Sequence, residues 1–287
     1  MSLRQPVQYP VKYYSHLDAG APQLSDADGV IKTILKSCLV TGYGTKAGAG
    51  WTALFEDDFR IVLRRPLRTG NPPDIKIENG VINGTASHRI VSQDNPTGLN
   101  DANELAVVNL LARDSKHGAE WHLIVSDFGF LLCYQMGEYG RSGVDRNNLL
   151  YVGATMKLRS SDSEFFVASY QQAIGINGRS AFWMRGLLHT TDVALQNMST
   201  GVKYTSIKYI NIDVAEKYYD DDYTAQNLIL DKVAMLPFLC SVSPTYLDKV
   251  TKTVVIDQRN MLRYVNKPEQ ANSGDRALYI PLDYWEL

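Results

Sequence analysis

Long apolar runs are missing from this chain. No stretch approaches the ~20 apolar residues that a membrane-spanning helix needs, so no helical membrane span is expected. Cysteine is scarce too: the three thiols, Cys38, Cys133 and Cys240, lie far apart in apolar surroundings. That spacing excludes a disulfide framework and predicts buried free thiols. Charge of one sign is not in excess. Twenty-nine Lys and Arg stand against 31 Asp and Glu, for a net charge of −2, which leaves no electrostatic case for direct nucleic-acid binding. The opening Met1-Ser2-Leu3-Arg4-Gln5-Pro6 lacks the apolar core of a signal peptide, so folding in the cytoplasm is expected.

Motifs of catalysis and metal binding are missing as well. The five histidines, His16, His88, His117, His122 and His189, form neither a His-Glu-x-x-His helix nor a Cys/His finger. Asp220-Asp221-Asp222 lacks the calcium loop and its closing Glu, and reads as an acidic turn or the cap of a helix over 224–236, with a strand as the alternative there. No Gly-x-Ser-x-Gly elbow is present. Gly42 to Gly50 superficially matches a dinucleotide fingerprint, with Ala47 at its third glycine position. It follows a helix rather than a strand, and it reads as a flexible turn. The expectation is therefore no catalytic residue, no metal, no cofactor and no enzyme.

What is present is ordinary globular composition, 45% hydrophobic and 21% charged, with tyrosine outnumbering phenylalanine by 17 to 8. Tyrosine suits strands and interfaces because it buries a ring and keeps a polar tip. The most regular signal runs from His16 to Trp51. Val30, Ile31, Ile34, Leu35, Cys38 and Leu39 recur at helical spacing and fall on one face, with Lys32 and Lys36 on the other. Ser25 with Asp28 three positions later suggests a capping box, and Gly42 or Gly44 a stop. These signs predict a helix over about 25–40 that buries one stripe.

The rest reads mainly as strand. Trp51–Leu63 is one such stretch, followed by Arg64, Arg65 and Arg68, expected to pair with Glu56, Asp57 or Asp58. Two Asn-Gly pairs, at 79–80 and 83–84, compete for one hairpin tip. Residues 104–112 fit helix or buried strand equally. Trp121–Tyr134 reads as a hairpin turning at 127–129, with further strands over 149–158, 165–173, 180–189, 202–214, 253–256 and 277–282. The fold class is α+β, mainly β: twisted antiparallel sheets with the one N-terminal amphipathic helix packed on them. Residues 1–200 form the mainly β domain and 201–287 a C-terminal β-rich lobe, continuous with the first or separate from it. At the start, Val7, Tyr9, Val11 and Tyr13 alternate with polar residues, and Pro6 and Pro10 confine that strand to an edge. With Tyr14 they are the candidate assembly-interface residues, either reaching an adjacent chain or forming a loosely attached terminus.

The stretch Gly20-Ala21-Pro22-Gln23-Leu24-Ser25, a helix ending Cys38-Leu39-Val40, and then Gly42-Tyr43-Gly44-Thr45-Lys46 resembles the opening of a tailed-bacteriophage and prophage virion protein family. There Gly-Ala-Pro-x-Leu-Ser precedes a helix ending Leu-Val-x-Gly-Phe-Gly-x-Lys. Gly50-Trp51, Phe59-Arg60 to Arg64, and Trp121-His122-Leu123-Ile124-Val125-Ser126-Asp127 are similar to later family segments. The likeness covers residues 1–65, thins to 155 and is almost absent beyond. The small β insertion that many members carry before the Gly-Trp is lacking here. The family brings no catalytic residue. The resemblance implies a structural component of the tail, baseplate or neck, assembled in the host bacterial cytoplasm with copies of itself and neighbouring virion proteins. Alternatives are a glycan-binding module for the host surface at the tail tip, a cell-wall glycan hydrolase, and a cytosolic protein sharing the motif by chance.

Overall fold

A computed structural model of the chain describes residues 7–25, 27–66, 72–82, 85–111, 120–135, 147–154, 156–157, 166–172, 194–197, 203–204, 207–212, 217–218, 221–222, 224–230, 234–235, 240–245, 251–256, 258–266 and 275–286. The chain begins with β1 (Gln8–Pro10) and β2 (Lys12–Ser15), then α1 (Val30–Lys36), which continues into a π-helical turn, Ser37–Thr41. Next come β3 (Thr52–Glu56), β4 (Ile61–Arg64), β5 (Asp74–Ile82), β6 (Thr85–Gln93) and β7 (Glu104–Leu111). They are followed by β8 (Trp121–Ser126), β9 (Gly129–Gln135), β10 (Asn147–Ala154), β11 (Met156–Lys157), β12 (Phe166–Gln172), β13 (Ala194–Asn197) and β14 (Lys203–Tyr204). The remainder comprises β15 (Ile207–Ile212), β16 (Lys217–Tyr218), β17 (Asp221–Asp222), β18 (Thr224–Leu230), β19 (Ala234–Met235), β20 (Cys240–Thr245), β21 (Lys252–Ile256), β22 (Arg259–Asn266), β23 (Asp275–Pro281) and β24 (Tyr284–Glu286).

Among the described residues the protein is mostly β, with antiparallel sheets and a single helix. A five-stranded sheet takes β3 to β7 in sequence order. A seven-stranded sheet has the order β14-β13-β12-β10-β9-β8-β2, and an eight-stranded sheet the order β11-β19-β18-β20-β23-β22-β21, with β15 on β18. Strands from both sides of residue 200 enter each of the two larger sheets, β14 the first and β11 the second.

The seven-stranded sheet is a middle layer, and this explains why β8 is buried at every position. On one face Leu123, Val125, Phe130, Leu132 and Tyr134 join Ile31, Ile34, Leu35, Cys38 and Leu39 in the main core. Ile61, Leu63, Ile75, Ile77 and Ile90 of the five-stranded sheet close that core. On the other face the β22 ring of Tyr264 meets His122, and the β24 ring of Trp285 meets Tyr151 and Phe128.

The expected apolar stripe of the helix is buried in full, from Val30 to Leu39. Its start differs from the capping-box expectation. Gly29 occupies the cap position with φ 73°, and no side chain caps the helix. Ser25 Oγ instead accepts from the N–H of Ala27, while the Gly29 N–H is taken by Asn79 Oδ1 at 3.0 Å. The left-handed glycine turns the chain before a helix from Ser25 can form. Asp26 lies outside the described residues. Lys32 is not on a solvated face: it is buried, and its Nζ donates to the Asp57 carbonyl at 2.7 Å and pairs with Glu56.

Several other expectations resolve on pairing. Residues 104–111 are strand, because β7 pairs along β6. Thr224–Leu230 is strand rather than helix, and Asp221 and Asp222 pair as β17 with β16 rather than capping a helix. The 51–63 stretch is two strands with Phe59 exposed in the turn between them. β5 and β6 pair out to Ile82↔Thr85, so Asn79-Gly80 lies inside a strand. The second Asn-Gly pair, 83–84, falls outside the described residues. Arg64 pairs with Asp74 through two bonds of 2.9 and 2.7 Å, not with Glu56, Asp57 or Asp58. Arg65 reaches the Phe128 carbonyl. Arg68 and the 180–189 stretch lie outside the described residues. The 121–134 hairpin and the 253–256 strand are as the sequence pattern predicts, and Trp285 is fully buried.

Candidate functional site

Most of the stretches that carry the family resemblance, those around Pro22, Gly44, Trp51 and Trp121, meet in a junction near the end of the helix, where β2 passes it. The π-helical turn sets its geometry. The last carbonyls of the helix have no partner within it, and the next segment uses two of them: Ala49 N–H donates to Cys38 O at 2.9 Å, and Trp51 N–H to Leu39 O at 3.0 Å. The helix end thus hands its chain to the sheet with the Cys38 and Leu39 carbonyls paired.

Between these points Gly42–Gly50 folds back as a packed loop rather than a slack turn. Tyr43 and Lys46 exchange both backbone hydrogen bonds at 2.9 Å. Gly44 and Gly48 are required by close approach. A Cβ on Gly44 would lie 2.2 Å from the Ala19 carbonyl oxygen, and one on Gly48 would lie 2.2 Å from that of Val40.

Asp18 is the centre of the junction. Its Oδ2 accepts from the Ser15 N–H, the Tyr43 hydroxyl and the Lys46 ammonium, each at 2.7 Å. Lys46 Nζ also donates to the Tyr13 carbonyl at 2.8 Å and lies over the Tyr13 and Tyr14 rings. Burial raises the Asp18 carboxyl, but the Lys46 and Tyr43 hydrogen bonds outweigh it and hold the group below the usual carboxylate range. Burial and the hydrogen bond to Asp18 push the Tyr43 hydroxyl far above its ordinary value, so it stays a donor. Burial raises the Tyr14 hydroxyl to about 12, and that group donates to the Ala47 carbonyl at 2.7 Å. Burial likewise raises the Cys38 thiol. The arrangement neutralises its own charges and holds three chain segments together. It offers an anchor rather than an activated base or nucleophile.

A second knot lies beside it. The His16 N–H extends the β2–β8 pairing onto the Trp121 carbonyl at 3.0 Å. Trp121 Nε1 donates to the Pro22 carbonyl at 2.9 Å. Tyr13 Oη bonds His122 Nδ1 at 2.8 Å, with the two rings parallel. Pro22 and Trp121, from two separate stretches of the resemblance, are therefore in direct contact.

The candidate interface residues sit in the same region. β1 pairs with β24, and β2 pairs with β8, within the one chain. Tyr9 packs edge-on against Phe128, and Val11 N–H donates to the Asp283 carbonyl. Tyr13 and Tyr14 are held as described, Tyr14 being 2% exposed. Val7 is 45% exposed. Sequence reasoning missed the Asp18–Tyr43–Lys46 anchor. Its residues lie within the regular stretch from His16 to Trp51, but nothing in that stretch tells that the carboxylate meets a lysine 28 positions on. Among the described residues no three His, Cys, Asp or Glu side chains stand together as metal ligands, and no helix is long and apolar enough to cross a membrane. Compared with known proteins, the chain matches no family model, no curated protein and no solved structure.

Proposed function

We propose that the chain is a structural component of a tailed-phage virion, of the tail, baseplate or neck, acting by assembly with copies of itself and with neighbouring virion proteins. One observation carries the reading. The resemblance to the virion family rests on the stretches around Pro22, Gly44, Trp51, Phe59–Arg64 and Trp121, and all of these but Phe59–Arg64 join through Trp121 Nε1–Pro22 O, the close approach of Gly44 to Ala19 O, and Trp51 N–Leu39 O. A motif of that kind keeps a scaffold in shape, which is the requirement on a subunit that works by fitting its neighbours.

The test is the solution mass of the purified chain by light scattering over a wide concentration range, beside Val7→Glu, which changes an exposed apolar position on the arm. A defined oligomer that Val7→Glu weakens is the expected result. A monomer at every concentration overturns self-assembly and turns the search to binding of surface glycans.

A further inference from the structure

His88 lies on β6, 3% exposed, on the face that carries Ile77 and Ile90 into the core. Its Nδ1 is buried with no hydrogen-bond partner among the described residues. Its cross-strand neighbour is Asn79, the residue whose Oδ1 holds the Gly29 N–H at the start of α1. The imidazole therefore sits where the helix entrance is pinned to the β5–β6 hairpin.

A neutral imidazole tolerates that setting, whereas an imidazolium needs water or an anion. From the segment packed against it, Asp28 is the charged group that acts on the ring, and Asp28 is exposed and immediately precedes Gly29. From β5 the facing residue is the neutral Asn79, and on β7 the residue in register with His88 is Leu110, which carries no charge. Asp28 therefore rides on the segment that would move, and it is free to follow the ring into water.

We propose that His88 is an acid-responsive latch: proton uptake by its imidazole separates the α1 entrance from the β5–β6 hairpin and lets the ring reach solvent. Burial lowers the ring from its ordinary 6.5 to about 4 while Asp28 pulls the other way. In the closed form the proton is thus refused throughout the mildly acidic range. The sign follows: the closed state is fully favoured above ~6.5, and it loses ground as pH falls from there toward 4. A difference of that size corresponds to about 300-fold in the opening equilibrium at full protonation.

Hydrogen exchange of the full chain, corrected for intrinsic rates, tests this between pH 7 and 4.5. In the wild type, protection of residues 27–41 and 74–93 is expected to fall by tens of fold relative to 121–135, and in His88→Gln by less than threefold. Equal loss in both proteins overturns the latch. If His88→Gln does not fold, titration of the wild-type imidazole by NMR decides: a native value at or above 6.5 overturns it, and one well below supports it.

Discussion

Gly44 stands against Ala19 so closely that a Cβ would come within 2.2 Å of the Ala19 carbonyl oxygen, and its φ is 54°. Both facts disfavour a side chain, the first by overlap and the second by backbone strain of roughly 1–2 kcal/mol. Gly44→Ala is expected to destabilise the fold by more than about 2 kcal/mol in urea denaturation. Gly98→Ala, where a Cβ meets nothing within 4 Å, should stay within about 0.5 kcal/mol of the wild type. Equal effects at the two sites would mean that the Gly44 loop yields.

Asp18 and Tyr43 are expected to be energetically coupled, because the hydroxyl donates to the same oxygen that Lys46 approaches. Lys46 is about a third exposed, so its ion pair is screened and contributes little alone. The hydroxyl bond is the better-protected half. A double-mutant cycle of Asp18→Asn with Tyr43→Phe should show about 1 kcal/mol of coupling. Additive single effects would remove Asp18 from the centre of the junction.

How much of this was legible in the sequence depends on how local each signal is. The stripe from Val30 to Leu39 and the hairpin from Trp121 to Tyr134 follow from the spacing of neighbouring residues, and both formed as that spacing predicts. The helix start was misread because Ser25 and Asp28 have the chemistry of a cap, while the deciding partner, Asn79, lies 50 positions away. Residues 104–112 fit helix or strand alike from sequence, and the ladder with β6 makes Glu104–Leu111 a strand. The Asp18 anchor was invisible for the same reason: its oxygen is shared by donors brought together by the fold, and no periodicity encodes that meeting.

The face of the five-stranded sheet opposite Ile75 and Ile77 carries a closed ladder of charges, with Lys76 and Glu78 buried in it. Lys76 bridges Glu78 at 3.2 Å and Glu104 at 3.0 Å, and Arg89 bridges the same two acids. Burial raises the Glu104 carboxyl, but its bonds to Lys76 and Arg89 prevail and hold it below the usual value. A carboxyl depressed by folding stabilises the protein above its unfolded value of ~4.3, and that contribution is lost as pH falls through the folded value. Glu104→Gln should therefore cost about 1 kcal/mol at pH 7 and progressively less below pH 4. A difference that persists unchanged to pH 3 would show that the charge of Glu104 is not what stabilises the ladder.

Gln258 adopts φ 64° in the tight turn between β21 and β22, where Ile256 pairs with Arg259. A left-handed backbone costs a side chain roughly 1–2 kcal/mol, and asparagine tolerates it best among residues with a Cβ. Gln258→Asn should raise stability by about 0.5 kcal/mol, near 1–2 °C in Tm for a chain of this size. Gln258→Val puts a β-branched side chain into the same conformation and should lower stability by about 1 kcal/mol or more. The opposite signs at one position isolate the backbone from the side chain's surroundings, because Gln258 is exposed. Equal thermal shifts for the two variants would mean that the turn relaxes to a negative φ when its residue demands it.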